Sequence, residues 1–141
     1  HIARVSDRAN FYYFPTDCPH REKNGWTGDA QISAEHMILT MGAEKSWKEW
    51  LNNIRLAQDP MGRIPGIVPT GDWGFAWGNG PAWDKVLFEL PYIIYKYRGD
   101  TEPIKENAHA MMSYLEYISG RRDENGIIAV GLGDWVPVSR C

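Results

Sequence analysis

The chain has 141 residues, of which 43% are hydrophobic and 23% are charged, and its formal net charge is −3. This composition is typical of one globular domain with a single core, and it excludes recognition of nucleic acid through a strongly basic surface. No apolar run approaches the roughly 20 residues needed to span a bilayer, so we expect no membrane partner either.

The first predicted element is a helix over residues 1–11. Ile2, Val5, Ala9 and Phe11 form a weak apolar stripe at helical spacing there. An aromatic run at 11–14 follows and leads into a loop.

Three carboxylates, Asp17, Glu22 and Asp29, stand close together in that loop. One proline and two glycines among them exclude a continuous helix, so a loop that doubles back would bring the acids to one point. Repulsion between close carboxylates would let one of them keep a proton at neutral pH, which is how a site gains a general acid. Arg21 adds a fork of donors, and Trp26 adds a flat face for a sugar ring.

Simpler interpretations of the same residues stay open at this point. Asp17 could cap a turn, Asp29 could be the N-cap of the next helix, and Glu22 could be a solvated surface charge. Cys18, His20 and His36 match no zinc-binding spacing, so we predict no metal site.

The loop also resembles a known family signature. Asp-Cys-Pro-His-Arg-Glu at 17–22, followed by Gly-Trp-Thr-Gly-Asp at 25–29, is similar to the signature of glycoside hydrolase family 78, the α-L-rhamnosidases. The family usually has Gln where this chain has His20, a difference that leaves the acids in place.

Beyond the loop, helices are predicted over 30–41 and 43–58, the first with Ile32, Met37, Ile38 and Met41 near one face. Asp29 then lies at the positive end of a helix dipole. Residues 62–82 form a long loop rich in aromatic residues, which we expect to be functional.

Two more helices complete the predicted set. The helix over 83–97 is apolar on nearly all sides and contains Pro91. The helix that follows ends near Ser119. Its predicted core face consists of five residues: Ile104, Ala108, Met111, Leu115 and Ile118.

Two later blocks extend the resemblance over nearly the whole chain. Gly-Pro-Ala-Trp-Asp at 80–84 is similar to a second family block, although the family acid often stands one place later, where this chain has Lys85. Gly-Asp-Trp at 133–135 is similar to a third block.

The resemblance implies an all-α fold: part of an (α/α)6 barrel, a six-hairpin toroid, with long aromatic loops at one end. Residues 1–141 would be the N-terminal portion of that catalytic domain, with exposed apolar helix faces for the absent remainder or for a symmetry mate. The implied function is inverting hydrolysis of α-L-rhamnosides without a cofactor, with Glu22 as general acid and a base supplied from downstream. The implied substrate-binding residues are Asp17, Arg21, Trp26, Asp29, Trp83, Asp134 and Trp135.

Three other functions stay open from the residues. One is a different (α/α)6 glycosidase or lyase, another is a carbohydrate-binding protein without catalysis, and the third is a helical scaffold whose acids are caps and surface charges. The sequence assigns no cellular compartment.

Overall fold

The structure is a computed structural model that describes residues 1–70, 74–76 and 80–132. Within these residues every regular element is a helix, which confirms the all-α prediction. The helices are α1 (Ile2–Ala9), α2 (Thr27–Met41), α3 (Glu44–Leu56), α4 (Pro81–Asp84), α5 (Val86–Arg98) and α6 (Glu102–Ser119).

Helix α2 begins earlier than the sequence pattern predicts. It starts at Thr27 with Trp26 at the N-cap, so Asp29 lies in the first turn instead of capping the helix. Gly42 ends α2 in the left-handed conformation, with φ of 61°, which favours glycine. Asp29 is therefore close to the positive end of the α2 dipole, as expected.

The single helix predicted over 83–97 is two helices in the structure. Pro81 starts the one-turn helix α4, and α5 begins after Lys85 with Pro91 inside it. Helix α5 buries Leu87, Leu90 and Ile94 but leaves Tyr92 and Tyr95 exposed, so it is not buried on every side as expected.

The predicted core face of α6 is wrong by about one residue. The buried residues are Pro103, Asn107, Ala110, Tyr114 and Ile118. The aliphatic stripe that was predicted shares only Ile118 with them: Ala108 and Leu115 are exposed, and Ile104 and Met111 are half-buried. The packing of Tyr114 and Asn107 decides the orientation, because a large ring and a hydrogen-bonded amide can both be buried.

Helix α1 is present, but its apolar residues do not form its buried side. Ile2 and Val5 are exposed, whereas Asp7 is buried. The Asp7 carboxylate contacts His36 and Thr40 of α2. Helix α1 therefore joins α2 through a polar contact that an apolar stripe could not predict.

The core lies between two helical pairs. Helix α2 packs along α5, and α3 contacts both α5 and α6, so the helices before the long loop lie side by side with those after it. Trp47 and Trp50 of α3 are fully buried between them, with ring centroids 5.8 Å apart. Exposed large apolar residues lie on five of the described helices, among them Leu39 of α2 and Met112 of α6.

Candidate functional site

A cavity of about 390 Å³ lies where the loop before α2 meets the first turn of α2 and helix α4. It brings together five of the residues that the sequence singled out. Arg21 is exposed and lies outside the cavity wall. Asp134 and Trp135 lie outside the described residues. The cavity is lined by Asp17, Glu22, Trp26, Gly28, Asp29, Ile32, Ala82 and Trp83.

The loop that carries two of the acids is closed on itself by hydrogen bonds. The Asn24 N–H donates to Asp17 Oδ1 at 2.9 Å, and the Asp17 N–H donates to the Asn24 carbonyl at 3.0 Å. The Cys18 thiol donates to Asp17 Oδ2, and its Sγ accepts the Glu22 N–H, both at 3.1 Å. The loop therefore doubles back as predicted, with Asp17 and Glu22 fixed on either side of Cys18.

Trp26 contacts the general-acid candidate directly. Its Nε1–H donates to Glu22 Oε2 at 2.8 Å. The ring was expected to offer a flat face to a sugar, but Trp26 is only 4% exposed, although it lines the cavity. The clearest effect of Trp26 on the site is therefore that it orients the Glu22 carboxylate.

Main-chain hydrogen bonds attach this loop to the long loop that follows α3. The Thr27 N–H donates to the Gly66 carbonyl and the Val68 N–H to the Gly25 carbonyl, each at 2.8 Å. A Cβ on Gly25 would lie 1.9 Å from the Val68 carbonyl oxygen, so only glycine fits there. The acid loop and residues 66–68 of the long loop therefore lie together.

Trp83 forms the opposite wall and packs against α2. A Cβ on Gly28 would lie 2.6 Å from Trp83 Nε1, so the ring touches the main chain of the first turn of α2. Trp83 Nε1 is buried and has no hydrogen-bond partner among the described residues. Trp83 therefore fixes the width of the cavity through its contact with Gly28.

The surroundings of Asp29 shift the pKa of its carboxyl. It keeps contact with solvent, but the surrounding walls desolvate its carboxylate, and this raises the pKa of Asp29 above its usual value of 3.8. The Asp17 charge raises that pKa further and the Glu22 charge does so more weakly, whereas a hydrogen bond to the main chain lowers it. Repulsion among the acids was expected, and in the structure it contributes to the raised pKa of Asp29.

Asp84 does not stand at the cavity. It is 3% exposed, and its Oδ2 accepts a hydrogen bond from the Tyr114 hydroxyl at 3.0 Å. Burial raises the pKa of Asp84 to about 7, although the Tyr114 hydrogen bond acts in the opposite direction. The acid of the second block therefore points into the core between α4 and α6.

Sequence patterns missed part of the cavity wall. Ile32 was expected near the core face of α2, but it is 76% exposed and lines the cavity beside Asp29. Apolar spacing alone cannot separate a core residue from an apolar residue at the rim of a site. Ala82 carries no chemical signal that could have marked it.

The described residues contain neither a candidate metal cluster nor a membrane-spanning helix. Within residues 1–70, 74–76 and 80–132, no group of three or more His, Cys, Asp or Glu side chains is placed to hold a metal ion. In the same part of the chain, every helix is too short or too polar to cross a membrane.

Comparison with known proteins relates this chain to one family. Residues 1–140 match the family model described as the bacterial alpha-L-rhamnosidase 6 hairpin glycosidase domain. An alpha-L-rhamnosidase of Streptomyces avermitilis is 33% identical over 135 residues, which cover 94% of this chain and 13% of the relative. An alpha-L-rhamnosidase of Formosa agariphila is 34% identical over 115 residues, 78% of this chain and 12% of the relative.

Solved structures give the same relationship. The alpha-L-rhamnosidase of Streptomyces avermitilis complexed with L-rhamnose is similar with a TM-score of 0.80 and 27% identity, over 86% of this chain and 12% of that chain. The alpha-L-rhamnosidase of Dictyoglumus thermophilum is similar with a TM-score of 0.74 and 30% identity, over 84% of this chain and 14% of that chain. The chain therefore spans a small part of the length of each protein it matches.

Proposed function

This chain belongs to the bacterial alpha-L-rhamnosidase six-hairpin glycosidase family, and we propose that it is the acid-bearing N-terminal part of an α-L-rhamnosidase catalytic domain. The substrate is a carbohydrate with a terminal α-L-rhamnosyl residue. The observation that carries the proposal is the single cavity that Asp17, Glu22 and Asp29 share with Trp26 and Trp83.

Glu22 acts as the general acid in this proposal. The Trp26 N–H occupies Glu22 Oε2, so the proton is carried on Oε1 and passes to the glycosidic oxygen as the bond breaks. The carboxylate that forms keeps the Trp26 hydrogen bond, which stabilises its new charge.

The other cavity residues bind the sugar. Asp17 and Asp29 accept hydrogen bonds from ring hydroxyls, and Trp83 contacts the apolar face of the ring. Arg21, Asp134 and Trp135 match family positions and are proposed as further substrate contacts. No cofactor takes part in this chemistry.

The reaction inverts the anomeric centre. Inversion requires a second carboxylate roughly 6.5–9.5 Å from the acid, with a water between them on the opposite face of the sugar. Asp17, Glu22 and Asp29 line one cavity at the end of one loop. The base therefore comes from the rest of the catalytic domain.

Replacement of Glu22 in the full-length enzyme tests this proposal. Glu22→Gln should lower kcat on a rhamnoside with a poor leaving group by about 10²–10⁴-fold. The loss should be much smaller on an aryl rhamnoside whose leaving group needs no proton. Initial-rate kinetics on both substrates measures the difference, and NMR of the first-formed rhamnose anomer tests inversion.

Glu116→Gln is the matched control, because Glu116 is exposed on α6, away from the cavity. Its kcat should equal that of the wild type. An equal loss on both substrates for Glu22→Gln would assign Glu22 to binding or structure, and retention of anomeric configuration would reject the inverting mechanism.

A further inference from the structure

A second cavity of about 270 Å³ adjoins the one described above and lies between α1 and α2. We call it the α1–α2 cavity. Its wall is polar around most of its circumference, and three of its residues, Asp17, Asp29 and Ile32, also line the first cavity. The residues that belong to it alone include Ser6, Asp7, Asn10, Thr16, Ser33 and His36.

A contact between Asp7 and His36 organises the wall. Asp7 is 2% exposed, and its Oδ1 lies 3.0 Å from His36 Nδ1 while its Oδ2 accepts the Thr40 hydroxyl at 2.7 Å. Both carboxylate oxygens are therefore occupied, and the His36 ring is held through Nδ1. Nε2 remains for a further hydrogen bond on a ring that is half exposed.

The position of the α1–α2 cavity relative to the acids decides what can enter it. Glu22 lines the first cavity and is not part of the second, whereas Asp17 and Asp29 line both. On the proposed function, Glu22 stands beside the glycosidic oxygen, and Asp17 and Asp29 hold ring hydroxyls. The α1–α2 cavity therefore opens on the hydroxyl side of the rhamnosyl ring, away from the leaving group.

The charges of the wall restrict the chemistry of the occupant. Carboxylates of Asp7, Asp17 and Asp29 line the cavity, and His36 is the one basic side chain among its lining residues in the described part of the chain. Coulomb repulsion disfavours a sulfated or carboxylated group there. The hydroxyls and His36 Nε2 can bond a neutral polyol, and the exposed Ile32 side chain can contact its C–H face.

We propose that the α1–α2 cavity is a subsite for a neutral sugar carried on a ring hydroxyl of the rhamnosyl residue. The inference rests on the proposed function, because that function sets which side of the ring faces each cavity. It extends the substrate class from unsubstituted to branched rhamnosides. His36 and Ser33 are the specificity-determining residues.

The test uses the full-length enzyme and four aryl α-L-rhamnosides: one unsubstituted, and three that carry a glucosyl group on O2, O3 or O4. At least one of the three should be hydrolysed. Ser33→Met fills the α1–α2 cavity and should lower kcat/KM on that substrate by about tenfold. His36→Ala removes one hydrogen bond and should lower it by about fivefold.

Both variants should hydrolyse the unsubstituted rhamnoside within about twofold of the wild-type kcat/KM. His109→Ala replaces an exposed histidine of α6. This variant should leave kcat/KM unchanged on both kinds of substrate. Melting temperatures of all variants identify any loss of folding.

Three outcomes would overturn the subsite while leaving the proposed function intact. They are turnover of the unsubstituted rhamnoside without any glucosylated one, equal losses on both kinds of substrate in the two variants, and unchanged kcat/KM in both variants. Failure to hydrolyse any of the four rhamnosides would instead reject the proposed function.

Discussion

Among the described residues, one carboxylate oxygen of Glu22 accepts a side-chain hydrogen bond and the other accepts none, and this asymmetry is the main chemical feature of the site. The donor is the indole N–H of Trp26, at 2.8 Å from Glu22 Oε2. An N–H donor stabilises a carboxylate more than a neutral carboxyl, so the bond strengthens as Glu22 gives up its proton. Cys18 and Asn24 hold the main chain around it, so the direction of the carboxylate is set before substrate arrives.

Trp26→Phe should therefore slow proton donation while keeping most of the ring. We expect kcat on a rhamnoside with a poor leaving group to fall about tenfold, equivalent to about 1.4 kcal/mol. An activated aryl rhamnoside should lose much less, because its leaving group needs no proton. The measurement is kcat for both substrates with the full-length enzyme.

Trp47→Phe is the matched control, because Trp47 is buried in the core and its Nε1 has no partner among the described residues. This variant should lower the melting temperature and leave kcat unchanged. If Trp26→Phe behaves in the same way, the indole N–H serves the fold of the loop and does not assist Glu22.

At the residue scale, spacing identified the acids but not their environments. Spacing marked Asp17, Glu22 and Asp29 as three carboxylates in one short loop but left caps and surface charge open. The family resemblance carried their proposed roles. The raised pKa of Asp29 was not predictable, since its largest cause is desolvation by burial, which depends on tertiary packing. The contact between Trp26 and Glu22 depends on the bridge that pairs Trp26 with Ile67.

At the scale of elements, helix α4 joins the cavity to the core. Trp83 lines the cavity, and its neighbour Asp84 is buried against Tyr114 of α6. The Tyr114 ring in turn packs edge-on against Phe88 of α5, with centroids 5.8 Å apart. A helix of one turn has little stability of its own, so these contacts hold Trp83 in place.

The Asp84 carboxyl should make stability depend on pH. Its pKa is about 7 in the folded protein, against a usual value of 3.8. The folded state therefore keeps the proton that the unfolded state has released, and stability falls as pH rises from about 4 to about 7. A difference of about three pKa units corresponds to about 4 kcal/mol in total.

Asp84→Asn replaces the carboxyl by a neutral amide that can still accept the Tyr114 hydrogen bond. We expect the melting temperature of the full-length variant to exceed that of the wild type at pH 8 and to match it at pH 4.5. Glu124→Gln removes an exposed charge. Its melting temperature should depend on pH in the same way as that of the wild type. Parallel profiles for wild type and Asp84→Asn would show that Asp84 stays ionised in the folded protein.

The helices themselves were largely predictable, but their orientation was not. The predicted ranges 30–41 and 43–58 lie within a few residues of α2 and α3, and the predicted end near Ser119 matches the end of α6. The buried side of α6 differs because Tyr114 contacts Asp84, a partner 30 positions away, and apolar spacing contains no such information. The boundary at Lys85 likewise depends on how α4 packs against α2.

At the scale of the whole molecule, the described helices pack side by side, with two adjoining cavities beside the acid loop. Exposed apolar residues on α5 and α6, such as Tyr92, Met112 and Leu115, are compatible with further helices of a larger domain. The matched segment covers 12% to 14% of the length of these relatives. The relatives are therefore about seven to eight times longer than the segment.

We predict that the purified 141-residue chain does not hydrolyse rhamnosides. It contains the proposed acid but lacks the proposed base, and an open site weakens each electrostatic contact through water. The measurement is aryl α-L-rhamnosidase activity of the isolated chain, with the full-length enzyme as the positive control. Turnover that disappears on Glu22→Gln would show that a base lies within these residues, and Asp134 would then be replaced first.

The attachment of the acid loop to residues 66–68 has a consequence for evolution and engineering. The joining bonds are between main-chain groups, so they impose no side-chain identity on the loop beyond Gly25. His20 and Lys23 are exposed and can vary while the acids keep their positions. A library restricted to these two codons would sample new leaving-group preferences on an unchanged catalytic frame, which makes the loop a natural starting point for directed evolution.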